Sequence, residues 1–372
     1  MSRIMKLLAA VLVLTTFASA CGDDDGTAAS GDLPTVVVTT NILGDVVTQL
    51  AGGAFEVVTI MPVGADPHDF QASAQQAAAM RTADVLIVNG GSFEEGLLDV
   101  IEGAESDGVN VYEALSVVSA IEFGVGGHDH GGHDDHDDHD DHDDHDDHDD
   151  HDDHDDHDDH DDHDDHDDHD DHDDHDDHDD HEGHDDHSGH DHSGEDPHFF
   201  TDPARMAAAV DGIAAFLIAN VEGIDADTVT EAAEAYHAEL EALDAEVATL
   251  VADIPAENRV LITNHEVFGY FADRYGFEVA GAIIPSGSTL DGTSAGDLAE
   301  LAELITDEGV SAIFSDVSAS DQLAQTLADE VGGDVQVVEL FTESLGDSDS
   351  EGATYIDMVR TNATRIAEAL AS

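Results

Sequence analysis

Short apolar, β-branched runs alternate along this chain with stretches whose apolar positions recur every three or four residues. Thr35-Val-Val-Val-Thr-Thr40 reads as a buried strand, followed by an amphipathic helix from about Ile42 to Leu50. Further strands are expected over Phe55–Met61, Asp84–Val88 and Val109–Tyr112, with helices over Ala72–Thr82 and Phe93–Glu102 between them. That alternation is the signal of parallel α/β units. From Pro203 to Pro255 the pattern turns helical. Its second half opens on a capping box, Thr228 to Glu231, and carries Tyr236, Leu240, Leu243, Val247 and Leu250 on one stripe. A helix of ~25 residues would be about 37 Å long, which suits a strut between two lobes better than a crossover.

A second α/β set follows. Strands are expected over Arg259–Thr263, Val279–Ile284, Ala312–Phe314 and Val335–Phe341. Helices are expected over Glu266–Tyr275, Ala295–Ile305, Gln322–Val331 and Thr354–Ala371. The expected fold is therefore α/β with two lobes, each a small parallel sheet of about four strands with flanking helices, joined by one long rigid helix. The N-terminal lobe takes residues 34–202, the helical segment 203–255 and the C-terminal lobe 256–372. Ligands of open α/β sheets lie beyond the carboxyl ends of the strands, so the cleft between the lobes is where chemistry is to be sought.

Composition adds two segments that are not fold. Arg3 and Lys6 precede an apolar run from Leu7 to Phe17, too short to span a bilayer as a mature helix. Ala18-Ser19-Ala20 and Cys21, the only cysteine, follow. Residues 1–21 read as an export signal whose end resembles a bacterial lipoprotein box, with Cys21 the residue that would receive lipid. A lone thiol cannot form an internal disulfide, which favours that reading. Residues 22–33, rich in Asp, Gly, Ser and Ala, read as a tether.

The second segment holds 23 of the 27 histidines, between His128 and His192. From His133 to Asp180 a His-Asp-Asp triplet repeats without interruption. With no apolar side chain to bury, such a stretch cannot build a core and is expected to be disordered. Its imidazoles and carboxylates suit borderline divalent metals. His128, His130, His133, His184, His187, His190 and His192 mark the two ends of this candidate metal-collecting loop. Of the 90 acidic residues, 53 lie outside it against 8 basic ones. A field of that sign disfavours nucleic acid and attracts cations.

Only His68, His198, His237 and His265 remain. His68 lies in Asp66-Pro67-His68-Asp69-Phe70 and His198 in Asp196-Pro197-His198-Phe199-Phe200, while His265 directly follows the strand ending at Thr263. All three fall where a strand or loop yields to the next element, and each Pro restricts the backbone beside its imidazole. His237 sits mid-helix on the strut and is excluded. Three neutral imidazoles leave a divalent ion short of a fourth ligand and of compensating charge. Glu343 and Asp316, both at strand ends, are the candidates, and position alone does not separate them.

Together, Asp66-Pro67-His68 with Phe70, Asp196-Pro197-His198, Asn264-His265-Glu266 with Phe268-Gly269-Tyr270-Phe271, and Phe341-Thr342-Glu343-Ser344-Leu345-Gly346 resemble the metal-binding lipoproteins of manganese and zinc ABC importers. The zinc branch, with its His-rich loop, is the nearer of the two. The resemblance implies two four-stranded lobes, a rigid linking helix and one ion between the lobes, held by His68, His198, His265 and Glu343. Imidazole rather than carboxylate at position 265 moves the preference toward zinc. It also implies a non-enzymatic, monomeric solute-binding protein, exported and lipid-anchored through Cys21 to the outer face of the cell membrane. Its partners would be an ABC permease and ATPase, with Zn²⁺ as the transported ligand.

Other readings keep the same residues. The fold could carry Mn²⁺ or Fe²⁺ instead, or act as a surface zinc buffer or adhesin without a permease. A zinc hydrolase would need an open coordination position, and the chain holds no His-Glu-x-x-His motif.

Overall fold

The structure, a computed structural model, describes residues 33–123, 194–332 and 335–371. The 1–21 leader, all but the last residue of the 22–33 tether, and the histidine-rich stretch 128–192 lie outside them. In the N-terminal lobe the order is β1 (Thr35–Val38), α1 (Asn41–Ala51), β2 (Glu56–Thr59), α2 (Ala74–Arg81), β3 (Val85–Val88), α3 (Leu98–Ser106) and β4 (Asn110–Glu113). All four strands are parallel, in the order β2-β1-β3-β4. Two helices fill the middle of the chain, α4 (Pro203–Asn220) and α5 (Ala226–Val251). The C-terminal lobe then runs β5 (Val260–Thr263), α6 (Gly269–Tyr275), β6 (Glu278–Ala282), α7 (Ala295–Glu308), β7 (Ala312–Asp316), α8 (Gln322–Val331), β8 (Gln336–Leu340) and α9 (Tyr355–Leu370).

Alternation along each strand decides where the core sits, because successive side chains leave opposite faces of a sheet. Val36, Val38, Val85 and Ile87 point into one large core with α1, α4 and α5, whereas Val37, Leu86 and Val88 point into a smaller one beside α2 and α3. The C-terminal lobe repeats the division. Leu261, Ala312 and Phe314 join the same large core, and Ile262 and Ile313 turn the other way onto α7 and α8. The two lobes thus share one continuous hydrophobic body.

Helix α5 is its axis. It spans 26 residues, about 39 Å at 1.5 Å per residue, and buries Val229, Ala233, Tyr236, Leu240, Leu243, Val247 and Val251 along one stripe. The stripe ends at Val251 rather than at Leu250. The expected capping box at Thr228–Glu231 is absent: the Asp225 side chain accepts from the Thr228 backbone N–H, so the helix starts earlier and Thr228 lies in its first turn.

The C-terminal sheet also differs in detail. Its four parallel strands form two hydrogen-bonded pairs, β5–β6 and β7–β8, with β5 beside β7. A register shift between Leu261 and Ile262 bends the first pair. Helix α6 begins at Gly269 rather than Glu266. The backbone before it is strapped elsewhere, Glu266 N–H to Ser286 C=O at 2.9 Å and Val267 N–H to His265 C=O at 2.9 Å.

Residues 121–123 and 194–196, on either side of 124–193, pair into a closed stem. Asp196 N–H donates to Ile121 C=O at 2.8 Å, and Glu122 pairs with Glu195 in an antiparallel bridge. Long insertions between ends already held together cost a fold little. No helix among the described residues is long and apolar enough to cross a membrane.

Candidate metal centre

His68, His198, His265 and Glu343 meet in the cleft, with one potential ligand atom from each lying within 4.8 Å of every other. They are 2%, 0%, 0% and 1% exposed. His68 stands on the loop beyond β2, His198 after the stem, His265 in the strapped turn beyond β5 and Glu343 just past β8. Glu343 Oε1 lies 2.8 Å from His68 Nε2, 3.3 Å from His198 Nε2 and 3.0 Å from His265 Nε2. A tetrahedral ion with bonds of about 2.0–2.1 Å needs ligand atoms about 3.3 Å apart, which those separations approach.

The repeated Asp-Pro-His turns out to be one device used twice. Asp66 Oδ1 accepts the His68 backbone N–H at 2.9 Å, and Asp196 Oδ1 accepts that of His198 at 2.9 Å. Asp196 Oδ1 also takes the His198 ring Nδ1–H at 2.7 Å. At His68 the ring is held instead by Glu95, whose Oε1 accepts Nδ1–H at 2.9 Å, and Asp66 Oδ2 accepts Thr289 Oγ1–H across the cleft at 2.6 Å. A carboxylate on Nδ1 fixes the tautomer that leaves Nε2 for an ion and raises its basicity. His265 Nδ1 is buried without a hydrogen-bond partner, and its turn is held by Thr263 Oγ1–H to its own carbonyl at 2.7 Å.

Tyr270 locks the stem to the C-terminal lobe. Its hydroxyl donates to Asp196 C=O at 2.5 Å and accepts the Ile121 N–H at 3.3 Å, while the Arg205 guanidinium stacks on its ring at 4.7 Å. Gly269 is required for that approach, since a Cβ there would meet Asp196 Oδ2 at 2.6 Å. Aromatic rings pack against the centre: the Phe93 ring lies 5.1 Å from His68 and 5.4 Å from His198, edge-on to both, and the Phe200 ring of the second motif lies 5.9 Å from His198, whereas Phe70 of the first motif packs against the smaller core beside α2 and α3. A cavity of about 680 Å³ opens beside His68, lined from both lobes by residues including Phe93, Glu95, Phe123, Pro197 and Leu290.

His68, His198 and Glu343 titrate away from their ordinary values. Burial works against a charged His68 ring, but the Glu343 charge, hydrogen bonds to Glu343 and Glu95, and Asp66 lift it to about 10. His198 is raised likewise, burial being outweighed by Asp196 and Glu343. Burial alone would raise Glu343, yet His265, His68 and the hydrogen bonds from His198 and His265 hold it well below the carboxylate range.

Of the two rival acids, the structure brings Glu343 to the histidines and engages Asp316 elsewhere. Asp316 Oδ1 accepts the Ser318 N–H and Oγ–H, each at 2.7 Å, and Oδ2 accepts Thr342 Oγ1–H. Burial and the Glu343 charge push its carboxyl up. His237 stands apart on α5, its Nδ1 3.0 Å from Asp211 Oδ1. Cys21 and His128, His130, His133, His184, His187, His190 and His192 lie outside the described residues. Glu95 carries no signal in the sequence beyond its place after β3.

Two α/β lobes sharing one core around a long helix, with a buried histidine–carboxylate cluster in the cleft, define a class of solute-binding protein. The profile of the family described as ZnuA, "Zinc-uptake complex component A periplasmic", matches residues 36–369, and the chain belongs to that family. The zinc-binding protein TroA of Treponema pallidum (strain Nichols) is 28% identical over 381 residues, covering 99% of this chain and 98% of that protein. The manganese-binding lipoprotein MntA of Bacillus subtilis (strain 168) is 25% identical, covering 98% of each. Among solved structures, the periplasmic zinc binding protein TroA from Treponema pallidum superposes with a TM-score of 0.69 at 25% identity, covering 91% of this chain and 100% of that one. The Mn-bound periplasmic metal binding protein from Candidatus Liberibacter asiaticus matches in fold, with a TM-score of 0.65 at 17% identity, covering 91% and 99%. The chain is thus a substrate-binding protein of the metal ABC-transporter class, whose members bind solutes and are not enzymes. Substrate-binding components of this class work outside the cytoplasm with a permease and an ATPase. The hydrolase reading falls with that membership.

Proposed function

We propose that the protein captures Zn²⁺ between its lobes through His68, His198, His265 and Glu343 and delivers it to an ABC permease. The observation that carries the reading is the convergence of three ring Nε2 atoms, from three separate segments, on one carboxylate oxygen. Three nitrogens and one anionic oxygen suit a borderline ion of tetrahedral habit, whereas manganese favours oxygen-rich six-coordination. The printed name of the relative TroA points the same way. That of MntA supports a second reading, manganese on the same four residues. Export and lipid attachment at Cys21 rest on the leader pattern and on relatives named lipoproteins. The 128–192 loop is assigned the weaker task of collecting ions near the cleft, and the protein acts as a monomer.

The test is metal content of the protein lacking 128–192, purified from cells supplied with zinc and manganese together. One equivalent of zinc is expected, lost on changing His68, His198, His265 or Glu343 to Ala. One equivalent of manganese would select the second reading. Retention in Glu343→Ala with loss in Asp316→Ala would remove Glu343 from the site.

A further inference from the structure

The N-terminal lobe buries a carboxylate that no part of the centre uses directly. Glu94 is 1% exposed. Its Oε1 accepts Thr39 Oγ1–H at 2.6 Å and the Asn89 N–H at 2.6 Å, and its Oε2 accepts the Gly90 N–H at 3.4 Å. Thr39 follows β1 and Asn89 follows β3, so one side chain ties the ends of both central strands. Burying a carboxylate is costly unless it is fully hydrogen-bonded, and burial pushes this one up despite its donors.

The turn that Glu94 closes is itself strained. Gly90, Gly91 and Ser92 have φ of 89°, 64° and 60°, and Ser92 is the single non-glycine residue with positive φ among those described. Such a conformation persists only where surrounding contacts over-determine it. Three arms reach from this turn to the metal centre. Asn89 Nδ2–H donates at 2.9 Å to the carbonyl of Pro197, the residue before His198. Phe93 sets its ring against both His68 and His198. Glu95 accepts the His68 Nδ1–H.

We infer that Glu94 is a positioning residue: through the 89–95 turn it sets the orientation of His68 relative to His198, and thereby the preference of the centre for a small tetrahedral ion. This rests on the assignment of the three histidines as ligands. Glu94 touches neither the rings nor the ion. Loosening two imidazoles relaxes a cage built for short bonds, which weakens zinc more than a larger ion that accepts irregular, higher coordination.

The test uses the full chain with Glu94→Gln, Thr39→Val, Leu327→Ala and His265→Ala. Chelator competition reads the tightest zinc and manganese sites, and Co²⁺ loading reads the intense visible band of a tetrahedral centre. Glu94→Gln and Thr39→Val are expected to weaken zinc about tenfold, at the lower end of the effect of outer partners of metal ligands. Manganese should change by less than about threefold, and the cobalt band should shift or weaken. Leu327→Ala, which opens the core beside α8, lowers the melting temperature and leaves all three readings at wild type. If Glu94→Gln does not fold, Thr39→Val carries the same expectation. Wild-type zinc affinity and cobalt band in both variants would overturn the inference, as would an equal effect of Leu327→Ala. Survival of the tight site in His265→Ala would instead overturn the ligand assignment itself.

Discussion

Zinc capture by this centre should expel protons, and the geometry says from where. An imidazole coordinates as the neutral ring. In the free protein the charged His68 ring donates Nε2–H to Glu343 at 2.8 Å and Nδ1–H to Glu95 at 2.9 Å, and it titrates at about 10. His198 is raised by Asp196 and Glu343 against its burial. Glu343, held well below its ordinary range, has no proton to give near neutrality. The incoming ion must therefore displace one proton from His68 and up to one more from His198. Each proton released makes affinity rise tenfold per pH unit, about 1.4 kcal/mol. From pH 6 to pH 8 the tight site should thus strengthen about 100-fold through the His68 proton, and more steeply where His198 also releases one. Calorimetric titration of the chain lacking 128–192, in two buffers of different ionisation enthalpy, counts the protons directly. Glu343→Gln removes the charge that lifts both rings, so its count should fall below that of the wild type. No proton release at pH 7, with equal affinity at pH 6 and pH 8, would refute the reasoning.

Three further outcomes are expected. Without metal, stability should peak between mild acid and neutrality: the raised His68 contributes fully below its ordinary 6.5 and loses that contribution as pH climbs through about 10, while the lowered Glu343 contributes above its ordinary 4.5 and loses it on acidification; urea midpoints across pH read this. Glu95→Gln and Asp196→Asn should each weaken zinc about 10–100-fold while leaving the four proposed ligands in place, by chelator competition. Leu240→Ala on α5, fully buried in the shared core, should cost about 2–5 kcal/mol of unfolding free energy by denaturant titration.

The elements of both lobes were legible because their signals are short-range. A β-branched run between polar turns, or an apolar step of three and four, depends on neighbours within one or two turns of chain. The long helix is legible from Tyr236 to Val247 for that reason, whereas its start is not, because Asp225 competes with Thr228 for the same cap. Aspartate two residues before histidine, with proline between, likewise marks locally two of the rings that meet in the cleft.

The fourth group was different in kind. Glu343 and Asp316 both follow strands, and nothing within a few residues of either separates them. Only the packed lobe shows that Ser318 and Thr342 occupy the oxygens of Asp316 while Glu343 reaches three rings. Glu94 and Glu95 were two acids among many, because their partners Thr39 and His68 lie 55 and 27 positions away. The amino-acid sequence by itself determined the strands, the helices and the set of histidines available for chemistry. Which of the acids meet them was decided by tertiary structure, since Glu343 stands 275 positions from His68 and only a core shared by both lobes brings such distant groups within bonding reach.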